Sequence, residues 1–227
     1  MARSASPHAQ APHPHAATEG VSCEAVAASR WLCLLLALVA CGGGNPSEHA
    51  SQPYRYAFPV QPPEVASRDR SHHDYPATDV FAPCGAVVVA ATDGVVDDVG
   101  AEDRWDPEVD DGATRGGLFV SVVGDDGVRY YGSHLREVSS TLAAGQRVQA
   151  GQEIGRVGDT GNAAGTGCHL HFGLSPPRGP GDWQVRRGVV YPWPYLDSWR
   201  AGGRESPARE LAVWAEPHPP ADHAGQP

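Results

Sequence analysis

The sequence contains no lysine, and its 17 basic residues are all arginine. Acidic residues number 27, so the formal net charge is −10. An acidic chain without a basic cluster lacks the positive charge that neutralises phosphates, on which nucleic-acid binding depends. We therefore expect no nucleic-acid partner.

Long apolar runs are also missing. The run at residues 31–40, WLCLLLALVA, has about ten residues, whereas a helix needs roughly 20 to span a bilayer. It has the length of a signal-peptide core, although an ordinary buried apolar segment is the alternative. It ends in Leu38-Val39-Ala40-Cys41, which resembles the lipobox of bacterial lipoproteins, where the cysteine carries lipid. We expect residues 1–40 to be a signal peptide and Cys41 to anchor an exported lipoprotein to a membrane facing the cell envelope, in the periplasm or on the outer surface.

Cysteine is scarce, with five in the chain. Cys23 and Cys33 lie in the expected signal segment, and Cys41 is the expected lipid site. The remaining two, Cys84 and Cys168, can pair in an oxidising compartment, or they are two separate buried thiols.

No window of the sequence has a long helical period. Short β-branched runs alternate instead with turns, as at Asp93-Gly94, and the chain has 27 glycines. We predict an all-β fold, a mostly antiparallel two-layer sheet, with helical turns only near 135–142 and 196–200. The predicted organisation is a flexible tether at 41–53, a folded domain at 54–200 and a disordered tail at 201–227. The acidic loop at 101–117 is either a solvated insertion or a rim that contacts substrate.

The histidines are unevenly distributed. His169-Leu170-His171 lies in an alternating stretch typical of a strand, so both imidazoles project from one face. His134 follows Tyr130-Tyr131-Gly132-Ser133, which predicts a position at a strand end. Each of these motifs alone also fits ordinary surface or structural histidines.

A third stretch contains His72, His73 and, six residues after His73, Asp79. A carboxylate at the start of the apolar run Val80-Phe81-Ala82 is costly unless it is paired or binds a metal. Three ligands of the His, Asp, His type leave a fourth zinc position for water, which is the pattern of a catalytic site. Zinc can lower the pKa of that water to about 7.

The order of these motifs resembles the LytM/lysostaphin-type zinc metallopeptidases. The matching elements are His73 with Asp79, then His134-Leu135, then His169-Leu170-His171, with a glycine-rich stretch at 158–167 before the last. Phe81-Ala82-Pro83 and Asp93-Gly94 are also typical of the family. The resemblance covers about residues 70–176.

The resemblance implies one zinc ion held by His73, Asp79 and His171, with His134 and His169 as catalytic residues beside it. It implies hydrolysis of the peptide cross-links of bacterial peptidoglycan. The family usually spaces its first motif His-x-x-x-Asp, but residue 75 here is Tyr, which indicates a loop lengthened by two residues. His72 is therefore the alternative to His73.

The sequence also leaves two other functions to consider. The first is a non-catalytic peptidoglycan-binding regulator that activates another wall hydrolase; relatives that have lost catalysis generally lack zinc ligands, which this chain has. The second is a biotinyl or lipoyl carrier domain, suggested by the hairpin pattern at 145–158. Such carriers modify a lysine, which the sequence lacks.

Overall fold

The structure is a computed structural model that describes residues 54–70, 72–179 and 181–218. In these ranges, strands predominate and the helices are short. The strands are β1 Val60–Gln61, β2 Ser67–Arg68, β3 Thr78–Phe81, β4 Val87–Val89, β5 Gly94–Gly100, β6 Leu118–Gly124, β7 Arg129–Val138, β8 Arg147–Val148, β9 Glu153–Val157 and β10 His169–Ser175. The helices are α1 Trp183–Arg186, α2 Trp193–Arg200 and α3 Ala208–Ala215.

All the strand pairings are antiparallel. The main path through the sheet runs β1-β4-β9-β7-β10-β3-β2, and β5, β6 and β8 branch from it. The sheet curls around β7, which pairs with β6, β9 and β10. The prediction of an all-β, mostly antiparallel domain with few short helices is confirmed.

β7 changes partners along its length, and this change positions the site. Its pairing with β10 runs from Arg129 to Ser133, and its pairing with β9 begins at Leu135. His134 is the residue between the two pairings. Because both partner strands are fixed, the backbone of His134 is fixed as well.

The core lies on the face of β10 opposite to its histidines. Leu170 and Leu174 are fully buried, and Phe172 joins them in the main cluster of apolar side chains. Alternation along the strand leaves His169 and His171 on the other face. Val80 of β3 and Leu135 of β7 pack into the same cluster. The period-2 pattern therefore separates the core from the site within one strand.

One of the two helical predictions is wrong and the other is confirmed. Residues 135–142 contain the end of β7 rather than a helical turn, since Leu135 and Val138 pair with β9. The predicted turn at 196–200 is confirmed as the second half of α2.

The prediction that residues 201–227 lack fixed structure is wrong for the described part of that range. Helix α3 lies within it, and Leu211 is buried in the core cluster. Ser206 also donates a hydrogen bond to Asp126, 80 residues earlier. Burial of this apolar face depends on tertiary contacts, which the local composition did not reveal.

Cys84 and Cys168 form a disulfide, which is the first of the two alternatives that the cysteine count left open. It links the chain just after β3 to the chain just before β10, so it joins the two strands of the site at one end. Cys41 and the expected signal segment lie outside the described residues. Within the described ranges no helix has the length and apolar character needed to cross a membrane.

Candidate active site

Strand register brings the first two residues of the site together. Asp79 on β3 is the direct partner of His171 on β10. Directly opposed residues of antiparallel strands have Cβ atoms about 4.5–5.5 Å apart. Their side chains meet accordingly, with 3.1 Å between Asp79 Oδ1 and His171 Nδ1.

The second ring nitrogen of His171 determines which nitrogen carries the proton, and so what can lie between His171 and Asp79. His171 Nε2 lies 2.9 Å from the carbonyl oxygen of Arg187, which can only accept, so Nε2 carries the proton. If the ring is neutral, Nδ1 has no proton, and its lone pair faces the Asp79 carboxylate. The close approach to Asp79 requires a positive charge, supplied either by a second proton or by a metal ion between the two atoms. A carbonyl acceptor behind the distal nitrogen is the usual support of a metal-binding histidine.

His72 supplies the third candidate ligand. One ligand atom from each of His72, Asp79 and His171 lies within 4.8 Å of the other two. His72 Nε2 is 3.9 Å from Asp79 Oδ2, and the His72 ring meets the His171 ring edge-on at 5.0 Å between centroids. Within the described residues, Nδ1 of His72 is buried without a hydrogen-bond partner. Two imidazoles and one carboxylate are a donor set that suits zinc.

His73, which we had predicted as the ligand, is not part of this group. It lines the same cleft, and its ring lies 5.4 Å from that of His72. This difference arises in the loop before β3, whose path turns the earlier of two adjacent histidines toward Asp79. Adjacent identical residues cannot be separated by spacing alone when the loop length departs from the family pattern.

Burial shapes the titration of these groups. It lowers the pKa of His72 to about 4, with a smaller contribution from the nearby His171. Burial raises the pKa of Asp79, but the hydrogen bond and charge of His171 outweigh it and bring the value to about 2. At neutral pH the site therefore presents an ionised carboxylate and an uncharged His72, the forms that coordinate metal.

His134 occupies a strained backbone position. Its φ is +62°, a left-handed conformation that non-glycine residues rarely adopt. This conformation is stabilised where β7 changes from pairing with β10 to pairing with β9. The His134 N–H also donates a hydrogen bond to the carbonyl of Gly116. Such residues concentrate at functional sites. We had predicted His134 at a strand end, and the structure places it within β7, at this kink.

Two further imidazoles, those of His134 and His169, lie beside the ligand group. Their ring centroids are 4.9 Å apart, and that of His134 is 5.9 Å from His171. Nδ1 of each ring donates to a backbone carbonyl at 2.8 Å, that of Thr160 for His134 and that of Gly167 for His169. The Nε2 atom of each ring therefore carries the lone pair when the ring is neutral. Burial, and then the charges of His171 and His169, lower the pKa of His134 to about 3.

The glycine-rich stretch before β10 positions these rings. The Thr160 hydroxyl donates to the carbonyl of Leu135 and accepts from the N–H of Leu118, so it connects β6 and β7 next to His134. Gly161 has a φ of +69°, and a Cβ there would overlap the carbonyl of Arg115. The predicted glycine-rich motif is thus a close-packed support for His134.

The five site residues line one cleft of about 340 Å³. Part of the acidic loop at 101–117 forms its rim, through Gly112, Ala113, Arg115 and Gly116. Asp103 from the same loop accepts a hydrogen bond from the N–H of Gly161, which ties the loop to the glycine-rich stretch. The loop therefore forms part of the rim of the cleft, and its contact with substrate stays a prediction.

The family comparison agrees with this geometry. The model of peptidase family M23 matches residues 73–182, which include His73, Asp79, His134, His169 and His171. The chain is similar to this family over that segment, which contains the sheet register and the kinked β7 that build the site. His72 lies one residue before the matched segment.

Several named peptidases are similar to this chain. A curated L-Ala--D-Glu endopeptidase from Bacillus subtilis (strain 168) is 30% identical over 127 residues, which are 54% of this chain and 34% of that protein. The chain thus spans about a third of that relative's length. The catalytic domain of lysostaphin from Staphylococcus simulans is 24% identical, with a TM-score of 0.46, over 60% of this chain and 95% of that one. A zinc containing peptidase from Vibrio cholerae is 23% identical, with a TM-score of 0.43, over 60% and 38%.

Sequence reasoning missed three contributors to the cleft. Tyr75 packs its ring 4.3 Å from the ring of His72, and it stands where the usual spacing would put a histidine. Trp183 of α1 lines the cleft, as does Arg187, whose carbonyl holds His171. The departure at residue 75 was the one available signal; α1 and Arg187 follow β10 without a recognisable motif.

Proposed function

We propose that this chain is a zinc-dependent endopeptidase of the M23 type that hydrolyses peptide cross-links of bacterial peptidoglycan. The observation that carries the proposal is the convergence of His72, Asp79 and His171, with ligand atoms within 4.8 Å of one another. His134 and His169 lie beside this group, each with its free Nε2. In this proposal His72 replaces His73 as the first ligand.

Bound zinc would supply a water of lowered pKa and polarise the scissile carbonyl. The chain's own residues then handle protons and charge. His134 or His169 accepts the proton of the attacking water at Nε2 and later returns it to the leaving amine, so the C–N bond breaks and a carboxylate and an amine remain. The other ring takes up a proton from solvent at Nε2, donates it in a hydrogen bond to the oxygen that gains negative charge, and returns it to solvent after the C–N bond breaks. The two Nδ1–carbonyl hydrogen bonds keep both rings oriented for these roles.

The substrate class rests on the family and on its named relative. M23 domains are peptidases, and the Bacillus subtilis relative is named for cleavage between L-Ala and D-Glu. An exported, membrane-anchored chain with lipid on Cys41 would reach such a substrate at the cell envelope. A disulfide between Cys84 and Cys168 suits the same oxidising compartment.

Digestion of purified peptidoglycan tests the activity. The zinc-loaded protein is expected to release fragments whose masses correspond to cleaved peptides, and chelation is expected to stop release until zinc is returned. Bound zinc without any release of peptides would overturn the endopeptidase and favour the non-catalytic regulator. For the anchor, Cys41→Ala is expected to abolish membrane fractionation; unchanged fractionation would contradict lipidation.

A further inference from the structure

The guanidinium of Arg187 lines the cleft without a carboxylate partner. Within the described residues it forms no ion pair and no side-chain hydrogen bond, and its Nε is buried and unpartnered. The other two arginines of the cleft are paired, Arg115 with Asp110 at 2.6 Å and Arg186 with Asp98 at 2.8 Å. Arg187 is therefore the cation of the cleft that is free to bind a ligand.

Aromatic rings fix the orientation of this guanidinium. Its central carbon lies 3.9 Å from the centroid of the Tyr75 ring and 5.3 Å from that of Trp183. A cation over an aromatic face is stabilised by the ring, but the ring offers no acceptor to the guanidinium N–H groups. Arginine cannot lose its charge, so a half-buried, unpaired guanidinium is costly unless an anion binds there.

Arg187 is also close to the proposed metal ligands. Its main-chain carbonyl accepts the hydrogen bond of His171, and the Tyr75 ring beneath its guanidinium lies 4.3 Å from His72 and 5.7 Å from His171. One aromatic ring thus separates the guanidinium from the ligand group. An extended peptide advances about 3.3 Å per residue, so a group held by Arg187 lies about two residues from the bond that is cut.

We propose that Arg187 binds a carboxylate of the substrate peptide, about two residues from the scissile bond. A planar guanidinium matches a carboxylate with two parallel hydrogen bonds. This inference rests on the proposed function and narrows its substrate class. It makes the cleft selective for stem peptides with free carboxylates over uncharged peptides such as glycine bridges.

The test compares a synthetic stem tetrapeptide, L-Ala-γ-D-Glu-L-Lys-D-Ala, with copies in which each carboxylate in turn is a carboxamide. Binding is measured by calorimetry to the zinc-loaded full chain with His134→Ala, which keeps the proposed ligands. Hydrolysis of the same peptides by the unsubstituted chain is followed in parallel. One of the amidations is expected to weaken binding about tenfold, the scale of a hydrogen bond between charged groups.

The matched variants assign the effect to Arg187. With Arg187→Gln the acid and amide peptides are expected to bind equally. Arg187→Lys, which keeps the charge without the planar fork, is expected to retain part of the preference and serves if the Gln variant does not fold. Arg147→Gln removes an arginine that is paired with Asp125 outside the cleft, and it is expected to keep the full preference.

The outcomes separate this inference from the proposed function. Equal binding of all the peptides to the Arg187 chain, or a preference that persists in Arg187→Gln, would overturn the carboxylate site. Selective binding of the acid peptides by a chain that releases no peptide from purified peptidoglycan would overturn the endopeptidase and leave the carboxylate site standing.

Discussion

Asp79 and His171 are direct partners across β3 and β10, and Asp79 Oδ1 lies 3.1 Å from His171 Nδ1. Nε2 of His171 already donates a hydrogen bond to the carbonyl of Arg187. The contact therefore needs a cation, and His72 stands where it can complete the coordination of a metal.

Substitution of His72 and of His73 tests which of the two adjacent histidines binds zinc. His72→Ala is expected to lose bound zinc, because it removes one of three converging ligand atoms. His73→Ala is expected to retain zinc at close to one ion per chain, since His73 lies outside the ligand group. Metal content after exhaustive dialysis measures both. Loss of zinc in the His73 variant with retention in the His72 variant would restore our original assignment.

The two flanking imidazoles are expected to affect turnover more than metal content. His134→Ala and His169→Ala each remove a free Nε2, and loss of a general acid or base typically lowers the rate about 10²–10⁴-fold. Zinc content is expected to stay near that of the unsubstituted chain. Initial rates of peptide release, normalised to bound zinc, make the comparison. Full activity in both variants would remove these residues from the mechanism.

A side chain at position 173 is expected to lower zinc affinity by displacing the carbonyl of Arg187. A Cβ at residue 173 would overlap the Arg187 carbonyl, which is the acceptor for His171 Nε2. Gly173→Ala should therefore displace that acceptor and weaken zinc binding about 10–100-fold, as the loss of such support does elsewhere. Gly167→Ala is the control, because a Cβ there meets nothing within 4 Å. Competition with a chromogenic chelator measures both affinities, and equal values would refute the coupling.

Part of the fold and of the candidate site could be predicted from the sequence, and part could not. Alternation along 169–175 gave the shared face of His169 and His171, because strand periodicity is a local property. The kink at His134 could not be predicted, since it arises where β7 exchanges β10 for β9. Helix α3 was missed for a similar reason: the burial of Leu211 depends on distant partners. The choice between His72 and His73 depends on a loop path that spacing did not specify.

The Thr160 hydroxyl offers a test of the support beneath His134. Thr160→Val leaves the Leu118 N–H and the Leu135 carbonyl without their partner. A buried polar group that loses its hydrogen bond costs about 1–3 kcal/mol, so the free energy of unfolding is expected to fall by at least that amount. Thr141→Val, at an exposed hydroxyl, is expected to change stability by less than about 0.5 kcal/mol. Denaturant unfolding compares the two, and equal losses would contradict a supporting role for Thr160.

The most direct measurement is anomalous diffraction at the zinc edge from crystals grown with zinc. The account predicts one peak per chain, about 2.0–2.2 Å from a nitrogen of His72, an oxygen of Asp79 and Nδ1 of His171. His134 and His169 should lie beside that peak with their Nε2 atoms turned toward it. A peak elsewhere, or Asp79 and His171 joined by a proton with no metal between them, would contradict the account.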